Sequence, residues 1–142
     1  MSDTDVIPMH ALSLGAAQRV ADAAIASAQS QGVAACIAIC DPAGEAIVTI
    51  RMDGAPRLSA GVALNKAFTV ASFKGMPTHA WWPLLADDPA LVHGFTQTPR
   101  LVIFAGGVPA RIDGKVVGTV GVSGGSSDQD RVIAEAGAAA LG

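Results

Sequence analysis

Gly106-Gly-Val-Pro-Ala-Arg-Ile-Asp-Gly-Lys-Val-Val-Gly-Thr-Val-Gly-Val-Ser-Gly-Gly-Ser-Ser-Asp-Gln-Asp130 runs from strand to turn to strand to glycine loop to helix without a spacer. Asp113-Gly114 divides two β-prone segments. A type I′ turn needs positive φ at both central residues, and Asp-Gly supplies them. Residues 110–112 are therefore expected to pair antiparallel with residues 115–122. In that second strand Val116, Gly118, Val120 and Val122 share one face, with Val117, Thr119 and Gly121 on the other. Two of these positions have no side chain, which in a strand marks the close approach of another backbone or a ligand. Ser123-Gly124-Gly125 then leaves the sheet, and Ser127 with Asp130 reads as the capping box of a last helix. Backbone N–H groups that converge at such a loop can hold an anion. Equally, the glycines can serve only a tight exit, with Asp128 and Asp130 themselves complementing the helix dipole.

Working outward, the 142 residues suit one domain with a real core, preceded by a loose arm over residues 1–10. The chain is 51% hydrophobic, 15% charged and 4% aromatic, so it packs with small aliphatic residues. So few charges imply that subunit contacts cover part of the surface, and a homo-oligomer is expected. A net charge of −3 argues against nucleic acid, which is held by clustered Lys and Arg. No apolar run has the length of a membrane span and the N-terminus lacks the pattern of a signal peptide, so a cytoplasmic protein without a membrane partner is expected. Cys36 and Cys40 would stand on one face of a strand about 13 Å apart, as separate reduced thiols. No cluster with metal-ligand spacing joins them.

The helical pattern of residues 12–30 has Ser13 as its cap and Ala16, Val20, Ala24 and Ala28 along one face. Residues 33–40 form an apolar run that matches a strand buried on both sides. Asp41-Pro-Ala-Gly44 is type I turn chemistry, returning residues 45–52 beside that strand, with Arg51 at its end. Ser59 is placed to cap a helix running to Lys74, closed by Gly75 and Pro77. Lys66 lies inside this helix on the face of Val62, Val70 and Phe73. A lysine there either snorkels past a core edge or meets an anion with a lowered pKa. Residues 79–98 read as irregular, holding Trp81, Trp82, His79, His93 and a short helix capped by Asp88 before Pro89. This stretch suits either a wall over an apolar ligand or a subunit interface. Residues 101–105 read as a further strand, and residues 128–141 as the last helix with Val132, Ala136 and Ala140 buried. The sum is an α+β fold, an antiparallel sheet of about five strands flanked by helices, profilin-like or PAS-like in outline.

Seven blocks resemble one family in the same order: Asp41-Pro-Ala-Gly44, Arg51-Met-Asp-Gly54, Asn65-Lys-Ala67 with Thr69 and Phe73, Gly106-Gly-Val-Pro109, Asp113-Gly-Lys-Val-Val-Gly118, Gly121-Val-Ser-Gly-Gly125 and Asp128-Gln-Asp130. The chain is similar over nearly its whole length to the GlcG/HbpS-like domains, which include the C-terminal domain of PduO and are often labelled haem-degrading. The resemblance implies an antiparallel sheet with flanking helices, assembly into homo-oligomers, and recurring polar positions at Arg51, Asp53, Lys66, Ser123, Asp128 and Glu135 beside the Gly106-Gly107 turn. Residues 79–95 depart from the family's pattern.

Two functions of different class follow. One is a binding module for haem or a related tetrapyrrole, with Arg51 and Lys66 on the propionates and His79, His93, Met52 or Met76 on the iron. The other is a small enzyme without a tightly held cofactor, an isomerase, lyase or hydratase acting on a small carboxylate or carbonyl metabolite. There Arg51 clamps the anion, Lys66 is acid or base, and the amides of Gly106, Gly107, Ser123, Gly124 and Gly125 face an enolate. A scaffold without a ligand is the third reading. In either ligand reading Arg51, Lys66 and the two glycine turns are expected around one anionic molecule at the end of the sheet, with Asp128, Glu135, Trp81 and Trp82 nearby. Replacing Lys66 with Met is expected to cost under about 1.5 kcal/mol, as a near volume-conserving change.

Overall fold

A computed structural model describes residues 4–141; the first three positions of the N-terminal arm lie outside them. The elements are α1 (Leu14–Ser30), β1 (Cys36–Cys40), β2 (Ala46–Arg51), α2 (Ser59–Ser72), a 3₁₀ turn (Thr78–Ala80), α3 (Trp81–Leu85), α4 (Pro89–Gln97), β3 (Gly107–Ile112), β4 (Lys115–Ser123) and α5 (Ser127–Ala138). Among the described residues the sheet has four strands, ordered β2-β1-β4-β3, with every neighbouring pair antiparallel. Asp113 and Gly114 have φ of 51° and 77°, the two positive values that the β3–β4 turn demands.

β1 is central, and all five of its residues are buried. Cys36, Ala38 and Cys40 face α2, where they meet Ala63 and Ala67. Ile37 and Ile39 face the other way with Val120 and Val122, into a core closed by Val20, Ala24, Ile133 and Ala134 of α1 and α5. The α2 side is the tighter layer. A Cβ on Gly121 would overlap the Ala63 carbonyl and come within 2.7 Å of the Ala67 nitrogen, so α2 lies directly on the β4 backbone.

Several sequence expectations change here. Residues 101–105 do not form a fifth strand: Val102 N donates to Thr69 Oγ1 at 3.0 Å, and Thr69 Oγ1 donates to the Arg100 carbonyl at 3.1 Å, so this segment follows α2 and not β3. Residues 79–98 are more regular than expected, because α3 and α4 occupy most of them. α2 has Leu58 at its cap position with no side-chain bond, and Ser59 is buried within the helix. α5 is capped one residue earlier than expected, by Ser126, whose Oγ accepts from Gln129 N while Gln129 Oε1 accepts from Ser126 N. Its buried row is Asp130, Ile133, Ala134 and Gly137; Val132 is 51% exposed. Close packing of Gly137 on Val20 and Ala24 of α1 fixes that face.

The arm is tethered where it meets the sheet. β4 extends past β1, which pairs only with residues 119–123, and Leu12 N donates to the Val117 carbonyl in that overhang at 2.9 Å. The Leu12 side chain fills the space above Gly118.

Candidate functional site

Lys66 is fully buried, so it does not snorkel. Its Nζ donates to the Val122 carbonyl at 2.8 Å and to Asp130 Oδ2 at 3.1 Å, and the Phe104 ring centroid lies 4.9 Å away. The ammonium reaches across the sheet end because Gly106, at φ 122°, has no side chain: a Cβ there would be 2.6 Å from Nζ. Asp130 is held from its other oxygen, where Oδ1 accepts from Gly125 N at 2.8 Å. Burial pushes the Lys66 pKa down from its usual range, and the Asp130 carboxylate opposes that shift.

The glycine turns are partly occupied. Gly107 N donates to Thr78 Oγ1 at 2.9 Å, and Gly125 N is taken by Asp130, so neither amide is free for an incoming oxyanion. Ser123 is buried at the end of β4 and Gly124 turns the chain at φ 138°. Asp128 is exposed in the first turn of α5.

Arg51 stands apart from this cluster. It is paired with Cys36, which is paired in turn with Ser123, so two strand spacings, about 10 Å, separate Arg51 from the end of β4. Its side chain is exposed over a hollow of about 380 Å3 with Thr49 and Ala60. Asp53 is exposed beyond it, and Met52 Sδ already accepts from Ala35 N at 3.4 Å. Met76 is half-buried. The two cysteines are free and buried; burial foremost drives the Cys40 thiol up to about 11, and Cys36 is raised by burial against the opposing charge of Arg51.

Trp81 packs edge-on to Phe73 at 4.4 Å and against Phe95 at 4.9 Å, with its buried Nε1 unpartnered. Trp82 is 54% exposed, and with Phe104, Ile103, Ala105, Ser127 and His79 it lines a hollow of about 450 Å3. His79 Nδ1 is buried without a partner. Burial foremost lowers the His79 pKa, aided by Arg131 and opposed by Glu135, so the imidazole is neutral near pH 7. Glu135 is exposed, accepts from Arg131 Nε at 2.8 Å, and lies with His79 on a smaller neighbouring hollow. His93 is exposed on α4.

A larger hollow, about 580 Å3, lies at the other end of the sheet, where the arm crosses the β4 overhang. Leu12, Ala16, Ile112 and Val117 form its apolar surface, and His10, Ser13, Arg19, Asp113 and Lys115 its polar rim. Ser13 Oγ caps α1 by accepting from Ala16 N, and the first turn of α1 has no acidic residue. Among the described residues no salt bridge engages Arg19 or Lys115. Sequence reasoning alone misses this site, because residues 1–10 carry no pattern that sets His10 apart from a loose arm.

The sequence model of the family described as haem degrading protein HbpS-like matches residues 12–139. A 15.0 kDa protein from the dhaT-dhaS intergenic region of Citrobacter freundii is 37% identical over 126 residues, 87% of each chain. The crystal structure of HbpS is similar at 35% identity and a TM-score of 0.87, covering 100% of this chain and 98% of that one. The structure of a PduOC:heme complex is similar at 32% identity and a TM-score of 0.81, covering 92% and 95%.

Proposed function

This chain belongs to the HbpS-like family, and on that premise we propose that it binds haem or a closely related tetrapyrrole in the hollow between the arm, α1 and the β3–β4 hairpin. The observation that carries the reading is one imidazole and two uncommitted cations around an aliphatic floor. A tetrapyrrole needs an apolar surface for its macrocycle, an axial nitrogen and partners for two propionates. Leu12, Ala16, Ile112 and Val117 offer the first, His10 the second, and Arg19 with Lys115 the third. The volume lies in the range of small-molecule sites, about 300–1,000 Å3. That the PduOC relative was crystallised with heme supports this choice of ligand.

Haem titration followed by the Soret band tests it. His10→Ala is expected to remove the spectral signature of an axial nitrogen, while His79→Ala and His93→Ala retain it. Arg19→Ala and Lys115→Ala should each weaken binding about two- to fivefold, the worth of exposed ion pairs. An unchanged Soret band in His10→Ala would refute the placement.

A further inference from the structure

Lys66 has three protons and two hydrogen-bond acceptors, Val122 O and Asp130 Oδ2. The Phe104 ring covers the ammonium on another side. That ring is 52% exposed, belongs to residues 101–105, which carry no regular structure, and walls the hollow of about 450 Å3 beside Trp82 and His79. The half-exposed Phe104 side chain therefore both contacts a buried amine and lines an open apolar hollow. This hollow shares no lining residue with the His10 site.

The geometry points to a second site, for a planar conjugated aldehyde, which lies against Trp82 and forms an imine with Lys66 once the Phe104 ring turns aside. Flat apolar walls favour a planar ligand, since aromatic faces stack in offset or edge-on contact. Asp130 is placed for the proton transfers: its Oδ1 is fixed by Gly125 N, which keeps Oδ2 on Nζ. Lys66 gives one proton to Asp130, and the free amine adds to the carbonyl carbon as a proton moves from nitrogen to the new oxygen. Asp130 then returns its proton to the carbinolamine hydroxyl, water leaves, and a protonated imine remains. No oxidant or reductant enters. Burial, which disfavours the ammonium, makes the first transfer easier than at a surface lysine.

The three lysines allow a test with internal controls, because Lys74 and Lys115 are both exposed. The 142-residue protein is incubated with benzaldehyde and cyanoborohydride near pH 7, and reductive benzylation is read at each lysine by peptide mass spectrometry. Lys66 is expected to label faster than Lys74 and Lys115. In Phe104→Ala its rate should rise about tenfold, equivalent to about 1.4 kcal/mol, between the worth of an exposed and of a desolvated ring-to-ammonium contact. Circular dichroism of the labelled protein reports whether the fold is kept. Labelling of Lys74 and Lys115 with Lys66 untouched in both proteins overturns the proposal. So does Lys66 labelling that appears only after the fold is lost, or at a rate that Phe104→Ala leaves unchanged.

Discussion

Lys66→Met is expected to destabilise the protein by about 3–5 kcal/mol, well above the 1.5 or so that side-chain volume alone suggests. The difference comes from the partner. Lys66 and Asp130 side chains are 1% and 5% exposed, so removing the ammonium leaves a carboxylate in the interior with Gly125 N as its remaining donor. Water cannot reach it without local opening. Asp130→Asn strands the ammonium instead, but a lysine already pushed toward its neutral form can lose its proton, so about 2–4 kcal/mol is expected. In Lys66→Met/Asp130→Asn no charge remains, and Asn can keep the Gly125 bond through its carbonyl. The double variant should therefore be no less stable than the worse single one, a coupling of at least about 2 kcal/mol. Urea unfolding measures this as a shift in midpoint at constant m, on a total stability of about 5–15 kcal/mol. Losses that add to within about 0.5 kcal/mol, or a Lys66→Met cost under about 1 kcal/mol, would show that the pair is not a buried unit.

Gly121→Ala should cost at least about 3 kcal/mol, because the new Cβ meets α2 backbone that cannot rotate away, whereas Gly15→Ala, with open space around it, should gain up to about 1 kcal/mol in α1. Paired thermal melts decide between them, and equal melting temperatures contradict the packing described. His79 has a folded pKa below its ordinary 6.5, so the unfolded chain takes up its proton first and stability is lost as pH falls from about 6.5 toward the lowered value. Replacing His79 with Gln should flatten that slope, with Arg131 and Glu135 left in place; an unaltered slope assigns it to other groups. Leu14, Leu58, Leu84, Leu91 and Val132 are all exposed, and light scattering at micromolar concentration is expected to give a multiple of the 14.2 kDa chain mass, against which a monomer mass would count.

What was legible in the sequence was local, and what was not crosses long stretches of chain. Asp113-Gly114 announces its turn because few residue pairs tolerate two positive φ values, and alternation along residues 115–122 gives the face of each side chain. Lys66 drew notice as a charge on an apolar helix face, but its partner lies 64 residues away. With Ser127 read as the cap, Asp130 takes the exposed partner position of a capping box; in the structure Gln129 holds that position and Asp130 shares the buried row with Ile133, 100° around the helix from Val132. The apolar run at residues 101–105 has strand composition but follows a helix, because Thr69 offers the hydrogen bonds that a neighbouring strand would have supplied. The His10 hollow was within reach by one further inference. A nine-residue strand beside a five-residue one leaves backbone carbonyls that must find donors in a buried setting. Something in the chain has to supply an N–H to Val117, and an apolar residue just before a capped helix, Leu12 before Ser13, is suited to do so. Once Leu12 is tied there, His10 two residues earlier, Arg19 less than two turns into α1, and Lys115 two residues before Val117 are drawn to one place.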